Sequence, residues 1–113
     1  MKYDISVCVP TIRPQHWKRL YDSIVNSVGE YTFELVLCGP YKKLDDYLLT
    51  KNNVIIIEDY GSPTRAQQVA VSKASGKYMI WAADDGWFYP DMLKKSIDLI
   101  IKLLQYLKKA LIY

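Results

Sequence analysis

Four short apolar runs, each followed by a segment with helical spacing, limit most strongly how this chain can fold. Ile5 to Val9 is apolar and β-branched, and Pro10 stops it. Phe33 to Cys38 is the second run, closed by Gly39-Pro40. Val54 to Ile57 is the third, with almost no polar alternation, which predicts a strand covered on both faces. Tyr78 to Ala82 is the fourth, and it leads directly into Ala83-Asp84-Asp85-Gly86. From Gln15 to Val28 the apolar residues Trp17, Leu20, Ile24 and Val28 recur at helical spacing, and Gly29 ends the helix. Lys42 to Leu49 reads as a short helix. Ser62 is an N-cap with Pro63 at the first helical position. That helix is expected to reach Ser75, with Ala66, Val69, Ala70 and Ala74 inward and Gly76 as its stop. A last helix starts after Pro90 and runs toward the end of the sequence.

Strand–helix alternation of this kind predicts an α/β chain. The expected form is a Rossmann-like three-layer α/β/α arrangement with a mainly parallel four-stranded sheet. Such sheets bind ligands beyond the carboxyl ends of their strands. Three polar segments follow strand ends here: Pro10 to Arg13, Asp59 to Arg65, and Asp84-Asp85. A parallel sheet would gather them at one rim.

The 113 residues fit one domain, 1–113, of which 91–113 is an amphipathic helix. Half of the residues are hydrophobic, enough to fill a core. The net charge of +3 suits an anionic small molecule, and no dense Lys/Arg block marks a nucleic-acid binder. Cys8 and Cys38 each sit in an apolar run, without metal-ligand spacing, and read as buried reduced thiols. With no signal-peptide pattern and no spanning segment, this predicts a cytoplasmic protein.

The candidate site residues follow from that rim. Carboxylates after an apolar strand end, Asp84 and Asp85, are costly to bury without a partner. A divalent cation shared with a diphosphate would serve, since Mg²⁺ and Mn²⁺ favour oxygen ligands. A polar strand-to-loop turn is the plainer alternative. Arg65, in the first turn of a helix, suits an anion such as phosphate. Equally, it reads as a surface arginine paired with Glu58 or Asp59. Thr11 and Arg13, next to Pro10, offer a hydroxyl and a guanidinium for ribose, base or phosphate. His16 is the single histidine and reads as a surface residue at a helix start.

The stretch from Ile5 to about Leu93 resembles the N-terminal half of the family 2 glycosyltransferases, which have the GT-A fold. Ile5-Ser6-Val7-Cys8-Val9-Pro10-Thr11 looks like that family's first strand and nucleotide loop, and Phe33 to Leu37 like its second strand. Ala74 to Trp81 is similar to the segment leading into the family's acidic metal motif, where Asp84-Asp85 stands. Pro90-Asp91-Met92-Leu93 looks like the proline-led helix after it. The resemblance implies a nucleotide diphosphate sugar, Mg²⁺ or Mn²⁺, and transfer of the sugar to an acceptor hydroxyl. It implies Pro10, Thr11, Arg13, Arg65 and Asp84 around the nucleotide sugar, and Asp85 with Asp84 at the metal. The sequence departs from the family in having Gly39-Pro40 where an acidic pair usually follows the second strand, and Ala83 where the metal motif often begins with Asp. No residue matches the family's catalytic base, which lies in an acceptor half beyond this motif. A truncated or minimal transferase is therefore expected, with a non-catalytic nucleotide-binding or assembly module as the alternative.

In the last helix Leu93, Ile97, Ile100, Leu104, Leu107 and Leu111 form a seam, widened by Leu99, Ile101 and Leu103. Packing of one side on the sheet is the expectation. A homodimer or partner-chain interface and a membrane surface are the alternatives for the surplus.

Overall fold

The computed structural model describes residues 2–112. Four strands form one all-parallel sheet: β1 (Tyr3–Pro10), β2 (Phe33–Gly39), β3 (Val54–Glu58) and β4 (Gly76–Trp81). Their order is β3-β2-β1-β4. The helices are α1 (Trp17–Val25), α2 (Asp46–Leu49), α3 (Pro63–Lys73) and α4 (Met92–Ile112). The expected three-layer α/β architecture is present.

Alternation along the strands sorts the side chains into two layers. Ile5, Val7 and Val9 of β1, with Phe33, Leu35 and Leu37 of β2, pack on one face against Trp17, Leu20, Tyr21 and Ile24 of α1, Leu48 of α2, and Leu93 and Ile97 of α4. Each such buried side chain contributes about 1.5–3 kcal/mol. Cys8, Val36 and Cys38 point to the other face, against Ala66 and Ala70 of α3. The small alanines let α3 lie close over β1 and β2. Both cysteines are free and buried. Burial first, and the nearby Glu34 second, push the Cys8 thiol up to about 11.

Several boundaries differ from the sequence expectation. The first helix opens as a 3-10 turn over Pro14–His16, and its regular part ends at Val25. The second shrinks to Asp46–Leu49, because the Asp45 side chain caps it by accepting from Leu48 N. Ser62 does cap α3, accepting from Arg65 N, with Pro63 at its start. The third strand is not covered on both faces. It is an edge strand, and Ile55 is 39% exposed because α3 spans only the two central strands. Gly76 does not stop α3, which ends at Lys73; it begins β4. A Cβ there would lie 2.6 Å from Ser6 N, so close strand approach is what requires glycine. Gly29, at φ +59°, occupies the left-handed region as a turn glycine should.

The last helix also departs from expectation. Its inward line is Leu93, Ile97 and Ile101, not the Ile100-containing seam. Beyond Ile101 the helix leaves the body of the domain, and Leu103, Leu104, Leu107 and Leu111 are exposed. The sheet's α1 face is already filled by α1 and α2, so it has room for only the first turns of α4.

Candidate functional site: a cleft at the carboxyl rim

The strand order creates the site. Chain travel goes outward from β1 to β2 and β3, then returns across the sheet through α3 to β4 on the far side of β1. The carboxyl ends of β1 and β4 therefore flank a topological switch point, where open α/β sheets form a crevice. Here it is a cleft of about 410 Å³ lined by all three segments singled out from sequence. The loop after β1 contributes Pro10, Thr11, Ile12 and Arg13, that after β3 Asp59, Gly61 and Pro63, and that after β4 Ala83, Asp84 and Asp85.

Asp84 closes the switch point as a clasp. It is 3% exposed. Its Oδ2 accepts from Thr11 Oγ1 at 3.0 Å, Ile12 N at 2.8 Å and Arg13 N at 2.9 Å. Its Oδ1 accepts from Arg13 Nη1 at 2.7 Å. Burial pulls its pKa upward, but these donors outweigh it and hold the carboxyl below the usual carboxylate range. Thr11 is just as occupied: its hydroxyl donates to Asp84 and accepts from Trp17 Nε1 at 2.7 Å. The side chains expected to meet the nucleoside and the metal, Thr11 and Asp84, are thus engaged with the chain itself. What they position is the backbone of the β1 loop and the Arg13 guanidinium. That group keeps further N–H donors after one nitrogen is given to Asp84.

Asp85 is different, because its side chain is exposed at the cleft wall. Its carbonyl oxygen accepts from Arg19 Nη2 at 3.2 Å, which fixes the backbone and leaves the carboxylate to other partners. Among the described residues no group of three or more His, Cys, Asp or Glu side chains could hold a metal ion. A single carboxylate still fits Mg²⁺ when substrate phosphates supply the other oxygens. Asp85 meets that requirement. Asp84 already accepts three hydrogen bonds on Oδ2 and one on Oδ1.

Arg65 stands at the same rim but turns outward. Its Nε donates to Asp59 Oδ1 at 3.0 Å, and its side chain is 65% exposed. Asp59 also accepts from Gly61 N at 3.0 Å. The Gly61 N–H first, and Arg65 second, lower the Asp59 pKa. The floor beneath is backbone. Asp59 N and Tyr41 N both donate to Gly39 O at 2.8 Å, and Thr11 N donates to Cys38 O at 2.9 Å. A Cβ on Gly39 would stand 2.0 Å from Thr11 O, so only glycine lets these loops meet. Ile12 and Asp59 lie in segments singled out from sequence, but they and Gly39 and Pro40 were not named there as site residues, and all four line the cleft. Gly39-Pro40 as a strand-closing pair was the one available signal. His16 lines no part of the cleft, and it is not a free surface residue: it is half-buried, with its Nδ1 buried and without a hydrogen-bond partner among the described residues.

No protein-family model and no curated protein matches the chain. Among solved structures it is similar to S. aureus TarS 1-349, with a TM-score of 0.71 and 21% identity over 88% of this chain and 32% of that one. It is similar to the same TarS segment in complex with UDP, with a TM-score of 0.69 and 18% identity over the same shares. It is also similar to a longer TarS structure, with a TM-score of 0.67 and 20% identity over 88% of this chain and 20% of that one. TarS is a glycosyltransferase of GT-A type, and the likeness lies in its N-terminal region. The chain therefore has a GT-A-type fold and spans 32% of the length of TarS 1-349.

Proposed function

We propose that the carboxyl-rim cleft binds a nucleoside diphosphate sugar, as the donor site of a glycosyltransferase. One observation carries this reading: loops 10–13, 59–63 and 83–85 close a single cleft at the switch point of a GT-A-type sheet. A solved structure of similar fold is a complex with UDP, which supports the nucleotide class. Pro10 and the Thr11–Arg13 backbone form the nucleoside side. Arg13 faces the diphosphate, and Arg65, which stands at the rim paired with Asp59, reaches it by exchanging Asp59 for phosphate, assisted by the N-terminal end of α3. Asp84 holds the β1 loop in register. Asp85 would hold a Mg²⁺ or Mn²⁺ ion, which would supply charge stabilisation for the leaving diphosphate. Deprotonation of the acceptor hydroxyl is assigned to no described residue. This, together with the engagement of Asp84 by the β1 loop, favours a non-catalytic nucleotide-binding module as the second reading.

Calorimetry with UDP, GDP, CDP and ADP, with and without Mn²⁺, tests the proposal. Binding of at least one, strengthened by Mn²⁺ and weakened by Asp85→Asn, is the expected result. Silence from every nucleotide with a folded protein overturns it. Binding without sugar transfer or hydrolysis selects the second reading.

A further inference from the structure

The outer half of α4 carries apolar and basic character together, independently of the cleft. At 3.6 residues per turn, Met92, Leu99, Leu103 and Tyr106 fall in one stripe. Ile100, Leu104, Leu107 and Leu111 form the stripe beside it. All are exposed, from 36% at Met92 to 86% at Leu111. Lys95, Lys102 and Lys109 line one border of this face, and Lys108 stands at the other. Among the described residues no carboxylate pairs with any of these four. The sequence holds no acid after Asp98, and Asp98 is taken by Tyr31 and Lys94.

The face continues onto the body of the domain. Met92 lines a small hollow with Trp81, Trp87 and Phe88. Trp87 is 57% exposed, with the Arg19 guanidinium over its ring, and neighbouring Tyr89 is 69% exposed, whereas Trp81, in register with Cys8, points to the α3 face of the sheet. Exposed Trp and Tyr beside a basic amphipathic helix suit a water–lipid boundary, where one end of each ring is apolar and the other wet.

We infer that α4, with Trp87 at its base, docks on an anionic lipid surface, lying in the interface with its lysines toward the headgroups. Charge selects this occupant. A second copy packed on the same face would bring lysine borders against lysine borders, without acids to offset them. Among the described residues no helix is long and apolar enough to cross a membrane, so the helix lies on the bilayer and does not span it.

Co-sedimentation of the full chain with vesicles of phosphatidylcholine alone, or mixed with phosphatidylglycerol, tests this. The protein pellets with the anionic vesicles, stays in solution with the neutral ones, and is released by salt. Lys102→Gln and Lys109→Gln each weaken partitioning roughly fivefold. Leu103→Glu with Leu107→Glu abolishes it, and both positions are exposed, so an unchanged circular-dichroism spectrum and melting curve keep that variant interpretable. Three results overturn the inference: no pelleting on anionic vesicles at low salt, equal pelleting on neutral vesicles, or equal pelleting of the double-glutamate variant. A concentration-dependent dimer in ultracentrifugation, without lipid binding, overturns it in favour of a second copy.

Discussion

Two buried carboxylates, at opposite ends of the sheet, fasten β1 to its neighbours in different ways. Asp84, at the carboxyl rim, gathers loop N–H groups, a hydroxyl and a guanidinium that is 42% exposed. Glu34, in β2, is 1% exposed, and among the described residues no cation pairs with it. Its Oε2 accepts from Ser6 Oγ at 2.6 Å, Ser75 N at 2.5 Å and Ser75 Oγ at 3.0 Å. Ser6 Oγ in turn accepts from Gly76 N at 2.7 Å. This closes a polar knot where α3 hands over to β4. The Glu34 knot uses only neutral donors and opens on no cleft. The Asp84 clasp leaves charged donors half in solvent, where an anion can reach them. A buried acid held by neutral groups acts as a fastener, whereas one that aims an arginine into a cleft also prepares a site.

That contrast breaks first under alanine. Asp84→Ala removes four hydrogen bonds and is expected to cost about 4 kcal/mol, since the buried Thr11 hydroxyl loses its acceptor while the part-buried Ile12 N, Arg13 N and Arg13 guanidinium only partly rehydrate. Denaturant unfolding measures this, and a loss under about 1 kcal/mol would mean the clasp is ornamental. Glu34→Ala is expected to cost about 3 kcal/mol in the same assay. It should leave nucleotide affinity unchanged in the folded fraction, whereas Asp84→Ala should not. If Glu34→Ala also lowers affinity, the two ends are not separable.

Acid gives a milder test. The folded pKa of Asp84 is lowered below its ordinary 3.8. The stability it contributes is therefore fully present above that value and is lost as pH falls below it, through the folded pKa. Trp17, whose indole N–H reaches Thr11, should report the loosening by fluorescence in the wild type and not in Asp84→Asn. The smallest stability effect belongs to Asp85→Asn, under about 0.5 kcal/mol at an exposed position. Its effect should fall on Mn²⁺-dependent nucleotide binding, and a stability loss like that of Asp84→Ala would contradict the separate roles.

Legibility differed between these residues for a physical reason. Asp84 and Asp85 were conspicuous because two acids follow an apolar strand. Their division into clasp and free carboxylate was not, because it depends on which loop stands opposite. Glu34 was hidden inside a strand whose other residues read as apolar, and sequence cannot show that Ser6 and Ser75 converge on it. Asp59 and Gly39 were visible only as a rim residue and a strand stop, since their importance is a backbone contact between segments twenty residues apart in sequence. Arg65 was legible as a helix-start arginine with two open roles, and the structure gives it Asp59 as its partner.

By itself the sequence determined the local terms: hydrophobic period, N-cap at Ser62, strand content, and the choice of an α/β layering. Those are set within a few residues by backbone geometry and side-chain burial. Only the tertiary structure decided the order β3-β2-β1-β4, and with it the meeting of Asp84 with Thr11, Ile12 and Arg13 across more than seventy residues. Strand order also left β3 an exposed edge, and α4 runs outward because the α1 face on which its first turns pack is already occupied by α1 and α2.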